Sequence, residues 1–258
     1  MNGYPLRRVI ALVVVGLMGG LLSGAFGVGG GIIMVPLLMW FAGMDQRRAA
    51  ATSLVAIVPS AIAGSIQYAV QGEVDVVAGL IVAAGGVGGS LIGTRLLRTL
   101  SLGWLRWLFI GLLVLGAVRL FFEVPARGTA LELGVGVVVA LVLLGVVMGI
   151  ASGLFGIGGG VILVPVLIAF FGLGDLLAKG TSLLAMIPTS VTGSIANTRA
   201  GLVRLGDGLI AGVSAVAASF GGVALAFLLP PRLAVILFAI FILIVVAQLV
   251  IRAVRAKP

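Results

Sequence analysis

Cysteine and histidine are absent from the 258 residues, and only 7 acidic residues accompany 16 basic ones. Without cysteine there are no disulfides and no thiol chemistry; without histidine as well, the usual zinc and copper ligands are missing. No nucleophile–base set and no internal carboxylate pair can be assembled either, so no catalytic residue, metal site or cofactor is expected and the chain is not read as an enzyme. Charge is scarce altogether: 9% of residues are charged, against about 25% in soluble domains. That leaves too little polar surface to cover a globule in water.

What fills the chain instead is apolar sequence, 62% of residues, with a mean hydropathy of +1.37. Crossing a hydrocarbon core of about 30 Å takes about 20 apolar residues. Uncharged runs of that size lie between Arg48 and Glu73 and between Asp75 and Arg95, and again over Gly180 to Thr198, Gly208 to Pro231 and Leu233 to Ile251. The stretch Leu102 to Phe122 holds Arg106 and Arg119 near its ends, where long side chains can snorkel to the headgroups. Two runs, Val9 to Met44 and Leu133 to Gly174, are too long for one crossing, and both are interrupted by glycine. The net charge of +9 fits basic cytoplasmic loops better than nucleic acid, because no basic run or basic amphipathic segment is present.

The chain is an internal duplication. "SGAFGVGGGIIMVP" at Ser23 to Pro36 reappears as "SGLFGIGGGVILVP" at Ser152 to Pro165, an offset of 129 residues with 10 of 14 positions identical. The same offset carries Thr52-Ser53-Leu54 onto Thr181-Ser182-Leu183, Pro59 onto Pro188 and Gly64-Ser65 onto Gly193-Ser194. Two repeats are therefore expected, over 1–128 and 129–258. The apolar N-terminal stretch after Arg7-Arg8 resembles a signal peptide. Its recurrence inside the chain marks it as structure that is expected to be retained.

Each repeat is read as all-α: a glycine-broken segment, re-entrant or hairpin, followed by three transmembrane helices near 49–72, 76–94 and 102–122 in the first copy. Counting the two halves of the broken segment gives five passes, an odd number, so the second copy enters from the opposite side and the repeats are inverted. Charge agrees. With the N-terminus inside, Arg7, Arg8, Arg47, Arg48, Arg95, Arg98, Arg106, Arg199, Arg204, Arg252, Arg255 and Lys257 fall on the cytoplasmic side, and Arg119, Arg127, Lys179 and Arg232 outside. Both termini are then cytoplasmic.

The glycine breaks carry the functional expectation. Each glycine weakens a helix by about 1 kcal/mol relative to alanine, and unwound backbone inside a bilayer must be buried in protein or line a wet cavity. Broken helices at matching positions of two repeats point to a transporter's binding site, and the N-terminus of the half-helix that follows attracts anions. Gly29, Gly30 and Gly31 with Gly158, Gly159 and Gly160 are thus candidate substrate-binding residues. Close helix packing is the alternative reading, and it is the preferred one for Gly85 to Gly93. Thr52, Ser53, Thr181 and Ser182 add hydroxyl donors, or else bond their own backbone. Asn197 adds a buried amide in need of partners. Pro36, Pro59, Pro165 and Pro188 are expected to kink their helices. All seven acidic residues, Asp45, Glu73, Asp75, Glu123, Glu132, Asp175 and Asp207, fall in loops or at pass ends. "GVGGGI" lacks the strand and acidic residue of a dinucleotide fingerprint, and "AKGTS" has Lys before Gly, the wrong order for a phosphate loop.

A glycine cluster, an apolar half-helix ending in proline, a Thr-Ser step and a proline kink, all duplicated ("GVGGGIIMVP" with "ATSL", "GIGGGVILVP" with "GTSL"), resemble the TauE/SafE family of sulfite exporters over nearly the whole chain. The resemblance implies a multipass inner-membrane carrier of small sulfur-containing anions such as sulfite or organosulfonates. The partners so implied are a small anion and the lipid bilayer, not nucleic acid, with homo-oligomerisation left open. A channel-like or structural membrane protein, or a carrier of an unrelated small solute, is the alternative.

Overall fold

Glycine decides where the first long apolar run breaks, and it breaks unevenly. Helix α1 spans Leu6–Phe26 and stops at Gly27, whose left-handed φ of 67° lets its N–H return to the Ser23 carbonyl. Helix α2, Gly31–Phe41, follows after a turn and has 11 residues. At 1.5 Å per residue, α1 is about 31 Å long and α2 about 16 Å. The chain then forms α3 (Gln46–Val70), α4 (Val76–Thr99), α5 (Val135–Phe155), α6 (Gly160–Phe171), α7 (Asp175–Arg199) and α8 (Leu205–Leu228). Asp45 and Asp75 cap α3 and α4 by accepting from the N–H groups of Arg48 and Ala78, which satisfies donors a helix start leaves free. Pro36, Pro59, Pro165 and Pro188 all lie inside continuous helices.

This computed structural model describes residues 5–105, 107–111, 114, 134–230, 232, 233, 236, 237, 240, 243, 244, 246, 247, 250 and 251. The expected last helix of each repeat, 102–122 and 233–251, is described at about half of its positions, and Arg106, Arg119, Glu123, Arg127, Glu132, Arg252, Arg255 and Lys257 lie outside the described residues. Among the described residues there is no strand. Five helices among the described residues, α1, α3, α4, α5 and α8, are long and apolar enough to cross a membrane. Helix α7 matches α3 in length at 25 residues but carries more hydroxyls and charge. Leu80, Val139, Leu143, Val213 and Phe220 are among the large apolar side chains left exposed; in water such a surface would aggregate, and in lipid it is the solvated face. The protein is an all-α, multi-pass membrane protein.

The offset of 129 residues maps α1 to α4 onto α5 to α8. The main interfaces join one repeat to the other: α1 packs along α8, α4 along α5, and α3 and α7 against each other and against α8 and α4. The α4–α5 seam is made of glycines. A Cβ at Gly85, Gly89 or Gly93 would run into the carbonyls of Val142, Val146 and Ile150, and one at Gly145 or Gly149 into those of Val82 and Gly86. Between helices in lipid, where no hydrophobic drive operates, such close backbone contact supplies the packing energy. Gly16, Gly20 and Gly24 seam α1 to α8 in the same way.

Candidate functional site

Three positive-φ glycines reverse the chain between α1 and α2: Gly27, Gly29 and Gly30 at 67°, 77° and 68°; Gly156, Gly158 and Gly159 repeat this at 71°, 77° and 90°. Side chains rarely adopt these angles, so the turn requires glycine. The reversal folds α2 back along α1: a Cβ on Gly30 would strike the backbone of Gly19, and one on Gly159 would strike Met148. Each broken segment is therefore folded back on itself, with one long arm and one short arm.

The two hairpin turns meet. Gly31 packs on Gly156 and Ile157, and Gly160 on Gly27 and Val28. The methyl of Met186, from α7, sits over both Gly29 and Gly158. All six candidate glycines thus come together at one centre, and in this conformation the space above each is filled by protein. Sequence reading missed Met186, because a methionine in an apolar helix carries no distinguishing pattern.

Ser53 and Ser182 flank this centre. The Ser53 hydroxyl donates to the carbonyls of Gly156 at 2.6 Å and Ala50 at 2.9 Å. The Ser182 hydroxyl donates to Gly27 at 2.9 Å and also lies 3.7 Å from the Met186 sulfur. Each serine so satisfies a carbonyl that the other repeat's helix end leaves free. The threonines differ: Thr181 Oγ1 accepts from the Asp75 N–H at 2.9 Å, whereas Thr52 lines a cavity. Asn197 stands apart, about 22 Å along α7 from Ser182. It is fully buried, and its amide oxygen and nitrogen find no partner among the described residues. The repeat offset places Tyr68 at the same position, and the Tyr68 hydroxyl donates to Gly24 at 2.8 Å. Asparagine is too short to make that reach.

The cavity, about 230 Å³, is lined by Arg8, Arg48, Arg204, Asp45, Asp207 and Thr52 among others. Arg8 grips Asp207 through two bonds, Nε at 3.2 Å and Nη2 at 2.5 Å, with the Asp207 side chain 2% exposed. Arg48 lies 3.7 Å from Asp45. Three guanidinium groups against two carboxylates leave the wall positive, and such a wall concentrates anions. The repeat-equivalent positions at the opposite end differ in sign, with Glu73 and Asp75 standing where the cavity has Leu202 and Arg204.

Lys179, counted on the outside by charge, lies in the first turns of α7 and is 3% exposed, its ammonium 2.7 Å from Asp175 Oδ2, a burial that the sequence reading did not foresee. The i, i+4 spacing of Asp175 and Lys179 was the available signal. It was masked because the residues look like the flank of a pass.

Comparison with known proteins supplies the remaining evidence. A family model described as sulfite exporter TauE/SafE matches residues 2–120 and 141–258. The chain is 28% identical over 223 residues to a probable membrane transporter protein, YunE, of Bacillus subtilis, covering 76% of this chain and 80% of that one. It is 31% identical over 188 residues to a probable membrane transporter protein of Xylella fastidiosa, covering 70% of each. No solved structure matches the chain. Duplicated glycine hairpins, apolar helices and these relatives agree, and the chain is a membrane transporter that belongs to the TauE/SafE sulfite exporter family.

Proposed function

We propose that the protein carries small anions, sulfite or organosulfonate-type sulfur compounds, across the inner membrane by alternating access between two inverted repeats, with both termini cytoplasmic. The observation that supports this reading best is the arginine-lined cavity. Thr52 is part of its lining, and the neighbouring Ser53 donates to the opposite repeat's turn. An anion drawn to Arg8, Arg48 and Arg204 arrives at the contact that must part for passage. The half-helices α2 and α6 begin at that contact, and a helix start favours negative charge by about 0.3–1 kcal/mol. That is far less than the several kcal/mol needed to desolvate an ion, so side-chain cations and hydroxyls have to contribute.

The family's name supplies sulfite as the substrate class, while the relatives' names specify transport alone. The test is a thermal-shift screen in detergent with sulfite, sulfate, thiosulfate, sulfoacetate and taurine beside neutral solutes, followed by flux into proteoliposomes. Stabilisation by the sulfur oxyanions and saturable flux are expected. Stabilisation by neutral solutes alone, or flux that rises linearly without saturating, would refute an anion carrier.

A further inference from the structure

We propose that Lys179 is the fixed countercharge for the transported anion, and that the Asp175 carboxylate occupies the anion's place on it until substrate arrives. The proposal deepens the anion-carrier reading and rests on it.

Burial comes first. Lys179 is 3% exposed, and in the ion pair its side chain is 4% exposed while that of Asp175 is 12% exposed, at a separation of 2.7 Å. Burying two charges carries a desolvation penalty that their attraction does not always recover, and apolar or neutral replacements are often as stable. This protein contains that replacement. The repeat offset puts Gln46 and Ala50 at the positions of Asp175 and Lys179. Helix α3, with those neutral residues, has the same length as α7 and sets Ser53 on the opposite turn just as α7 sets Ser182. The equivalent helix is built without the charges. A costly pair kept in one repeat and dispensed with in the other points to a role outside packing.

Its position supplies the ligand chemistry. The backbone of Lys179 lies where a Cβ on Gly27 would project, so the lysine packs on the residue that breaks α1. One turn further on, Ser182 donates to the Gly27 carbonyl, and Thr181 lies between them in sequence with its hydroxyl accepting from the Asp75 N–H. An anion replacing Asp175 on the ammonium has the free N–H groups of the first turn of α7 beside it and the Thr181 hydroxyl within one turn, with that of Ser182 added once it releases Gly27. The α3–α4 connection lies against this turn through its backbone, the Glu73 carbonyl at Gly180 and the Asp75 N–H at Thr181. Its two carboxylates oppose an anion there, so the attraction has to come from Lys179. Lysine rather than arginine suits a carrier, because an ammonium is a compact point charge without the two-pronged grip of a guanidinium and exchanges partners more readily. One lysine relieved of one carboxylate matches a small monovalent oxyanion, a sulfonate or hydrogensulfite.

The full-length chain in detergent is tested for equilibrium binding of radiolabelled sulfite and taurine. The variants are Lys179→Gln, Lys179→Arg, Asp175→Asn and the Asp175→Asn/Lys179→Gln double, each checked for a single gel-filtration peak. Removing the competing carboxylate while keeping its shape should make Asp175→Asn bind roughly tenfold tighter, the scale of one hydrogen bond to a charge. Lys179→Gln and the double variant should bind at least tenfold more weakly, with Lys179→Arg between Lys179→Gln and wild type. Tighter binding cannot come from misfolding, so Asp175→Asn decides the matter even if Lys179→Gln fails to fold. Unchanged or weaker binding by Asp175→Asn, or wild-type affinity in Lys179→Gln, overturns the proposal and leaves the anion-carrier reading standing. Wild-type protein that binds neither compound overturns both.

Discussion

Ser53 and Gly156 lie 103 residues apart in sequence, yet the hydroxyl of one donates to the carbonyl of the other at 2.6 Å. The repeat-equivalent bond joins Ser182 to Gly27 at 2.9 Å. A hydroxyl has one proton, so in this conformation both serines are committed to holding the opposite turn, and either must release its carbonyl before it can donate to an anion. Ser53→Ala and Ser182→Ala should each lower stability by about 1–3 kcal/mol, the cost of a buried acceptor left unpaired. The two losses should be similar, and Asp in either place should be worse than Ala because a carboxylate cannot donate. Thermal denaturation in detergent measures the first effect and sulfite binding the second. Alanine variants as stable as wild type would show that the bonds hold nothing.

Glycine substitutions should divide by place. Gly30→Leu and Gly159→Leu meet both a left-handed backbone and a neighbour, Gly19 in one case and Met148 in the other. Both should cut the yield of folded protein sharply. Gly88, with nothing within 4 Å of an added Cβ, should accept alanine and gain up to about 1 kcal/mol from helix propensity. Gel-filtration yield and melting temperature distinguish the two sets.

Asp207 is 1% exposed, and removing Arg8 takes from its carboxylate the guanidinium that grips it. Arg8→Ala and Asp207→Ala should each destabilise by on the order of 3 kcal/mol. The Arg8→Asp/Asp207→Arg exchange should restore part of that loss. A double-mutant cycle with no coupling energy would contradict the pairing.

Arg48 and Arg204 line the cavity, where Arg48 is loosely paired with Asp45. Arg48→Gln and Arg204→Gln should each raise the KM for sulfite roughly fivefold, corresponding to about 1 kcal/mol for a charge 4 Å away in water. The effect should shrink as salt is added. A KM that stays constant at low salt would exclude the cavity from the path.

Reporter fusions at Gly72 and Thr99 should land on opposite sides of the membrane, Gly72 outside and Thr99 inside. Helix α4 lies between them, 24 residues long. Both reporters on one side would dismantle the inverted arrangement.

Membrane residence, the duplication and the sites of the helix breaks were legible in the sequence, because they rest on local properties. Run length against bilayer thickness identifies spans, a fixed offset identifies repeats, and clustered glycine interrupts a helix wherever it occurs. The breaks at Gly27, Gly29 and Gly30 and at Gly156, Gly158 and Gly159 were therefore readable residue by residue. What faces those glycines was not. Gly31 meets Gly156, Met186 covers Gly29 and Gly158, and Ser182 reaches Gly27 across 155 residues. Such contacts depend on how two repeats interlock, and no local pattern encodes that. Lys179 shows the distinction most clearly: as a letter beside Asp175 it looks like the charged flank of a pass, and only the packing of α7 against the first turn buries it. Burial is set by neighbours distant in the chain, so tertiary structure alone decided which charges the interior keeps.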